Sequence, residues 1–170
     1  MLVKEVEDLL NSQVDKEGYS SHLYLAMASW AETEGYKGIA EWLYAQAEEE
    51  RMHMLKLVRY INERDGKAKI DAVKEPPAVF GSIKEMFDQV LKHEQFISAS
   101  INDIVKVCIK VNDHNTHNML QWYVKEQIEE ESSARDIIDK LKLAGNQLYL
   151  FDRDIMSLRS PAGSAGASAT

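Results

Sequence analysis

Only three prolines, at positions 76, 77 and 161, interrupt this 170-residue chain, and no other feature restricts its fold as much. A proline inside a helix removes a hydrogen bond and clashes with the preceding turn, so the stretches on either side of Pro76 and Pro77 are free to form long helices. Both stretches place apolar residues at alternating steps of four and three, the spacing of a helix with one buried face. Turn residues divide them. A first helix is predicted from near Val6 to Gly35, and a second from Lys37 to Asp65 and Gly66. A third opens at Ser82, where Glu85 three residues on completes a capping box, and runs to about Val111. A fourth follows the polar break "NDHNT" and ends at Ala144 and Gly145. At ~1.5 Å per residue each spans on the order of 40 Å, and matched lengths predict an all-α four-helix bundle.

The links set the topology. The first and second helices, and the third and fourth, are joined by short turns and should form antiparallel hairpins. The connection "GKAKIDAVKEPPAVFG" has no helical stripe and is long for a compact domain. It is long enough to run the length of the bundle and leave the second and third helices parallel. The segment "QLYLFDRDIMSL" predicts a short fifth, C-terminal helix. Residues 159–170, "RSPAGSAGASAT", are low-complexity and expected to be a disordered tail, which leaves 1–158 as a single domain.

Composition excludes several classes of function. A net charge of −8 repels nucleic acid and anionic membranes at long range and weakly favours cations. No apolar run approaches the roughly 20 residues a membrane helix needs, and acids within the first eight residues argue against a signal peptide. Cys108 is the single cysteine, so no disulfide can form within the chain, and a reducing cytoplasm is the expected setting.

Each of the four apolar stripes is broken by an acid. The first reads Leu10, Val14, Glu17, Ser21, Tyr24, Ala28; the second Ile39, Leu43, Gln46, Glu50, His53, Leu57, Tyr60. The third runs Ile83, Phe87, Val90, Glu94, Ile97, Ile101, and the fourth Leu120, Tyr123, Gln127, Glu130, Ala134, Ile137. The breaks are in register, because Glu17 to Glu94, Glu50 to Gln127 and His53 to Glu130 are each 77 positions apart. The chain therefore reads as a duplicated helix hairpin whose halves deliver metal-type side chains to one level of the core. Carboxylates gathered there cost several kcal/mol each in desolvation and repel one another unless protons or cations neutralise them. Glu17, Glu50, Glu94 and Glu130 carry four negative charges, which two divalent ions would cancel. Glutamates with one imidazole form a harder ligand set than zinc or iron–sulfur sites use, which points to iron or manganese, and the pattern matches dinuclear carboxylate bundles.

At these residues the sequence resembles the ferritin family, specifically the bacterial non-haem ferritins. The motifs are Glu17 with Tyr24, "EEERMH" carrying Glu49, Glu50 and His53, "KHEQ" carrying Glu94, and "WYVKEQIEEE" carrying Glu126, Gln127, Glu129 and Glu130. The resemblance extends from residue 1 to about 158. It implies a ferritin-like fold, a homo-oligomeric shell of 24 subunits, oxidation of Fe(II) by dioxygen or hydrogen peroxide at a dinuclear iron centre, and storage of Fe(III) as an oxyhydroxide mineral. It further implies that Glu17, Glu50 and His53 hold one iron, and that Glu50 bridges to a second held by Glu94 and Glu130, with Gln127 beside it. Glu49, Glu126 and Glu129, sharing Glu130, would hold a third iron, and Tyr24 would hydrogen-bond at the centre.

Bacterioferritins resemble this chain but repeat Glu-x-x-His in the fourth helix, where Gln127-x-x-Glu130 stands here, and carry a haem-ligating Met directly after the second-helix Glu. Arg51 occupies that place, so no haem is expected. Two rival readings use the same residues differently. A di-iron oxidase or peroxidase would not need Glu49, Glu126 and Glu129, and a purely structural bundle would not gather five polar ligands at one core level.

Overall fold

In a computed structural model, which describes residues 2–159, the chain forms four long helices and two short ones: α1 (Lys4–Thr33), α2 (Lys37–Glu63), α3 (Ile83–Lys110), α4 (His114–Ala144), α5 (Leu148–Asp154) and a 3-10 turn at Ile155–Leu158. The expected low-complexity tail beyond residue 159 lies outside the described residues. Arg159, grouped with that tail on composition, is instead tied to α2 by its guanidinium.

The turns follow local chemistry. Gly35, at φ 90°, closes the α1–α2 link in the left-handed region that glycine enters without a Cβ penalty. Ser82 and Glu85 form the expected reciprocal capping box at the start of α3. The fourth helix starts earlier than the polar break suggested. Asp113 accepts the Thr116 N–H at 3.1 Å and acts as N-cap, so α4 begins at His114 and takes up the last three residues of "NDHNT". The break is a short turn through Asn112, whose φ is 59°.

Two apolar clusters fill the bundle. One joins the C-terminal half of α1, the N-terminal halves of α2 and α3, the C-terminal part of α4, and Phe151 and Ile155. The other joins the opposite ends, from Val6, Leu10 and Val14 to Leu57, Ile61, Ile101, Ile104 and Leu120. Because α2 and α3 both enter the first cluster by their N-terminal ends, they run parallel, and residues 64–82 cross the full length of the bundle between them. Asn11 fastens that crossover to α1. Its amide donates to the Lys67 carbonyl at 3.1 Å, and its side-chain oxygen accepts the Lys69 N–H at 2.7 Å. At the other end Phe80 is buried edge-on against Trp30. Buried side chains of this size contribute roughly 1.5–3 kcal/mol each, so both clusters are substantial.

Helix α5 returns to the start of α2. No side chain in the turn caps α2; the cap comes from Asp152, whose carboxylate accepts the Ile39 N–H at 2.9 Å. The approach is so close that a Cβ on Gly38 would lie 1.8 Å from the Asp152 carbonyl oxygen. Only glycine fits there.

Candidate metal centre

Between the two apolar clusters lies a polar layer. Helix spacing sets it up: Glu50 and His53 lie one turn apart on α2, Gln127 and Glu130 one turn apart on α4, and Glu17 and Glu94 face inward from α1 and α3. Glu17, Glu50 and Glu94 are 1–2% exposed, and His53, Gln127 and Glu130 are 3–8% exposed. All six residues singled out by the 77-position register are buried.

The layer's contacts are uneven. Glu94 is satisfied on both oxygens, accepting the Tyr24 hydroxyl on one and the Gln127 amide at 3.0 Å on the other. Glu130 accepts the Gln46 amide at 2.6 Å. Glu17 accepts the Gln13 amide at 2.8 Å on one oxygen, while its other oxygen has no hydrogen-bond partner. Glu50 also has an oxygen with no partner, and its second oxygen lies 3.6 Å from His53 Nδ1. A buried, unpartnered carboxylate oxygen costs more than an ordinary unmade hydrogen bond. Here two such oxygens stand beside an imidazole, and Glu17, Glu50 and His53 each offer a ligand atom within 4.8 Å of the other two. A cation would satisfy all three together.

Electrostatics agree with this reading. Burial first, and the facing Glu50 second, push the Glu17 carboxyl well above the usual carboxylate range. Burial and Glu94 do the same to Glu50, and burial, Glu94 and Glu50 to Glu130. Burial also raises Glu94, but the hydrogen bonds from Tyr24 and Gln127 oppose the rise. Desolvation with mutual repulsion favours the protonated form of each acid, so without a cation the layer retains protons.

A second group lies toward the surface. Glu49, His53 and Glu126 also bring ligand atoms within 4.8 Å of one another, so His53 belongs to both groups. They line a cleft of about 400 Å³ with Ala45, Met52, Trp122 and Arg159. Glu129 does not enter this group; its half-exposed carboxylate is 3.7 Å from the Lys125 ammonium. Several contributors escaped the sequence reading. Gln13 and Gln46 donate to ligand carboxylates, Ser100 donates to the Gln13 side-chain oxygen at 2.7 Å, and the Tyr123 hydroxyl donates to the His53 backbone carbonyl at 2.8 Å. Gln46 lies in the buried α2 stripe, and Gln13 lies one helical turn before Glu17; those positions were the available signal.

Residues 7–144 match the ferritin-like domain family. The chain belongs to the ferritin family. It is similar to the bacterial non-heme ferritin of Campylobacter jejuni, 45% identical over 161 residues that cover 93% of this chain and 96% of that one. The bacterial non-heme ferritin of Escherichia coli is 39% identical over 161 residues, 93% and 98% of the two chains. Among solved structures, the open pore ferritin from the archaeon Archaeoglobus fulgidus superposes with a TM-score of 0.90 at 40% identity, covering 94% of this chain and 98% of that one. The family assignment fits the all-helical bundle with its long crossover and short C-terminal helix. No described helix is long and apolar enough to cross a membrane.

Proposed function

We propose that the chain is a subunit of an iron-storage shell, built from 24 identical copies, that oxidises Fe(II) in its own core. The observation carrying this reading is the pair of buried, unpartnered carboxylate oxygens on Glu17 and Glu50 beside His53. A bundle built only for stability would not leave such groups unsatisfied. Membership of the ferritin family supports the storage role, and the likeness to the open pore ferritin supports an assembly of several copies.

Iron is the substrate. Glu17, Glu50 and His53 would take the first Fe(II), with Glu50 shared with a second held by Glu94 and Glu130. Four carboxylates offset the charge of two divalent ions, and the protons that the buried acids retain leave as the metal enters. Two Fe(II) supply the two electrons that reduce dioxygen to hydrogen peroxide, or hydrogen peroxide to water. Tyr24 and Gln127 hold Glu94 in place and are positioning residues. With a neutral amide at Gln127 the pocket does not gain a fifth negative charge, which favours release of Fe(III) toward the mineral. Glu49 and Glu126, with Glu130 shared, would receive iron on its way to the cavity, and Glu129 would join them only on leaving the Lys125 ammonium.

Size-exclusion chromatography followed by aerobic Fe(II) loading tests the proposal. Closed symmetry with 24 copies of a 19.4 kDa chain requires a particle of about half a megadalton, and that particle is expected to take up many irons per subunit. A small oligomer that stops at two irons per chain would overturn storage in favour of a di-iron oxidase.

A further inference from the structure

The cleft outside the buried layer contains a cation of the protein's own. After α5 and the 3-10 turn, the chain runs back along α2 and ends its described course at Arg159. The guanidinium donates to Glu49 Oε2 at 3.0 Å and to the Ala45 carbonyl at 3.4 Å. Its Nε is buried without a hydrogen-bond partner, so the head group is inserted into the cleft wall. Glu49 is the same carboxylate that stands with His53 and Glu126 in the outer metal-type group.

We propose that Arg159 is a tethered counter-cation for this outer site: it occupies Glu49 when no metal is present, and a divalent ion must displace it before Glu49 can join Glu126 in holding the ion while His53 serves the core. The inference rests on the reading of the chain as an iron-handling ferritin and adds a control on the step after the buried centre. A guanidinium keeps its positive charge throughout the range of pH in which the protein is folded. While it sits on Glu49, a metal at the same carboxylate meets both a spent lone pair and a like charge. The outer site is therefore weakened by the chain's own C-terminal arm, and metal leaving the core passes through it instead of lodging there. The arm is placed by the structure itself: Gly38 admits Asp152 against the start of α2, and this docking sets how far along α2 the arginine reaches.

Zn(II), which neither oxidises nor reduces here, separates affinity from turnover. The assembled protein is titrated with Zn(II) by calorimetry to resolve two ions sensitive to Glu50→Gln and a third sensitive to Glu49→Gln. In Arg159→Gln the third ion is expected to bind roughly fivefold more tightly, the scale of losing one partly exposed ion pair, with the first two unchanged. Arg159→Lys keeps the charge and should stay near wild type. In a Glu49→Gln background, Arg159→Gln should change nothing. An unchanged or weakened third constant in Arg159→Gln, with the Glu50-sensitive pair intact, overturns the role of Arg159 alone. Absence of any Glu50-sensitive binding overturns the ferritin-centre reading, and this inference with it. Size-exclusion profiles of each variant confirm that the particle compared is the same.

Discussion

The hairpin α1–α2 and the hairpin α3–α4 supply equivalent positions to the polar layer, yet they supply them in different states. From the first hairpin come Glu17 and Glu50, each with an oxygen that no neighbouring amide or hydroxyl reaches, so that only a proton shared between the two acids, or a cation, satisfies them. From the second come Glu94, satisfied on both oxygens, and Glu130, which accepts from Gln46. The register makes the contrast sharper, since Gln127 stands where Glu50 stands in the first half, and the amide donates to Glu94 where a carboxylate could not. The register thus sets an open half, with two oxygens left free of amide and hydroxyl donors, against a closed half in which Gln127 and Tyr24 occupy both oxygens of Glu94. The difference predicts order: the first metal should settle on Glu17, Glu50 and His53, and the second should have to displace hydrogen bonds to reach Glu94 and Glu130.

The largest way to break the comparison is to empty the open half. Glu50→Ala removes the shared carboxylate, and stopped-flow Fe(II) oxidation should slow by more than the roughly 10–100-fold typical of losing an outer-shell partner, while the particle still assembles. Wild-type initial rates in that variant would rule out the assignment. Gln127→Glu instead makes the closed half copy the open one. The added charge, about 4 Å from an ion, is worth on the order of 4 kcal/mol at an effective dielectric near 20 before desolvation is subtracted. Oxidation of the first two irons per subunit should proceed at a comparable rate, but recovery of Fe(II)-binding capacity between successive additions should be several-fold slower. Recovery as fast as wild type would mean that the neutral side chain does not tune release.

Tyr24→Phe removes one of the donors to Glu94, so one oxygen of the closed half becomes an orphan like those of Glu17 and Glu50. Without metal the variant should lose about 1–3 kcal/mol, the cost of stranding a buried acceptor, readable as a lower melting temperature. Saturating Zn(II) should recover part of it; a metal-free protein as stable as wild type would show that the Tyr24 contact holds nothing. The pH dependence of the metal-free protein tests the same layer without a substitution. Glu17, Glu50, Glu94 and Glu130 all have folded-state values raised above their unfolded ones, so the folded metal-free protein binds more protons than the unfolded chain. Their contribution is fully present below about pH 4.3, the free glutamate value, and is lost as pH rises through the raised values. As pH rises above that free value the metal-free melting temperature should fall, and bound divalent metal should flatten the slope. A metal-free melting temperature that rises over this range would contradict buried acids as the dominant titrating groups.

Much of this was legible in the sequence for a physical reason: helices announce their buried face by spacing, and an acid on that face is conspicuous. Glu17, Glu50, His53, Glu94, Gln127 and Glu130 could be aligned without coordinates because a repeat preserves register. The donors were harder to see. Gln13 and Gln46 are ordinary helix residues until a rotamer aims the amide at a particular carboxylate, and no spacing rule encodes that aim. Ser100 reaches Gln13 between two helices, from 87 positions away in sequence. Arg159 looked like the first residue of a featureless tail, because its place depends on α5 docking against the start of α2, where Asp152 meets Ile39 across 113 positions. Composition alone does not divide "NDHNT" between turn and helix, because the division rests on Asp113 acting as the cap.

Because the polar layer lies between two separate apolar clusters, the chemistry and the solid body of this protein are inherited on different residues. Each cluster joins all four long helices on its own side, and the layer is tied to them chiefly through the Tyr24 and Tyr123 hydroxyls. A descendant could exchange the acids of the layer for inert side chains and still present the same outer surface to its neighbours. In the proposed shell such a subunit would take its place beside oxidising copies, diluting the proposed activity without altering the container.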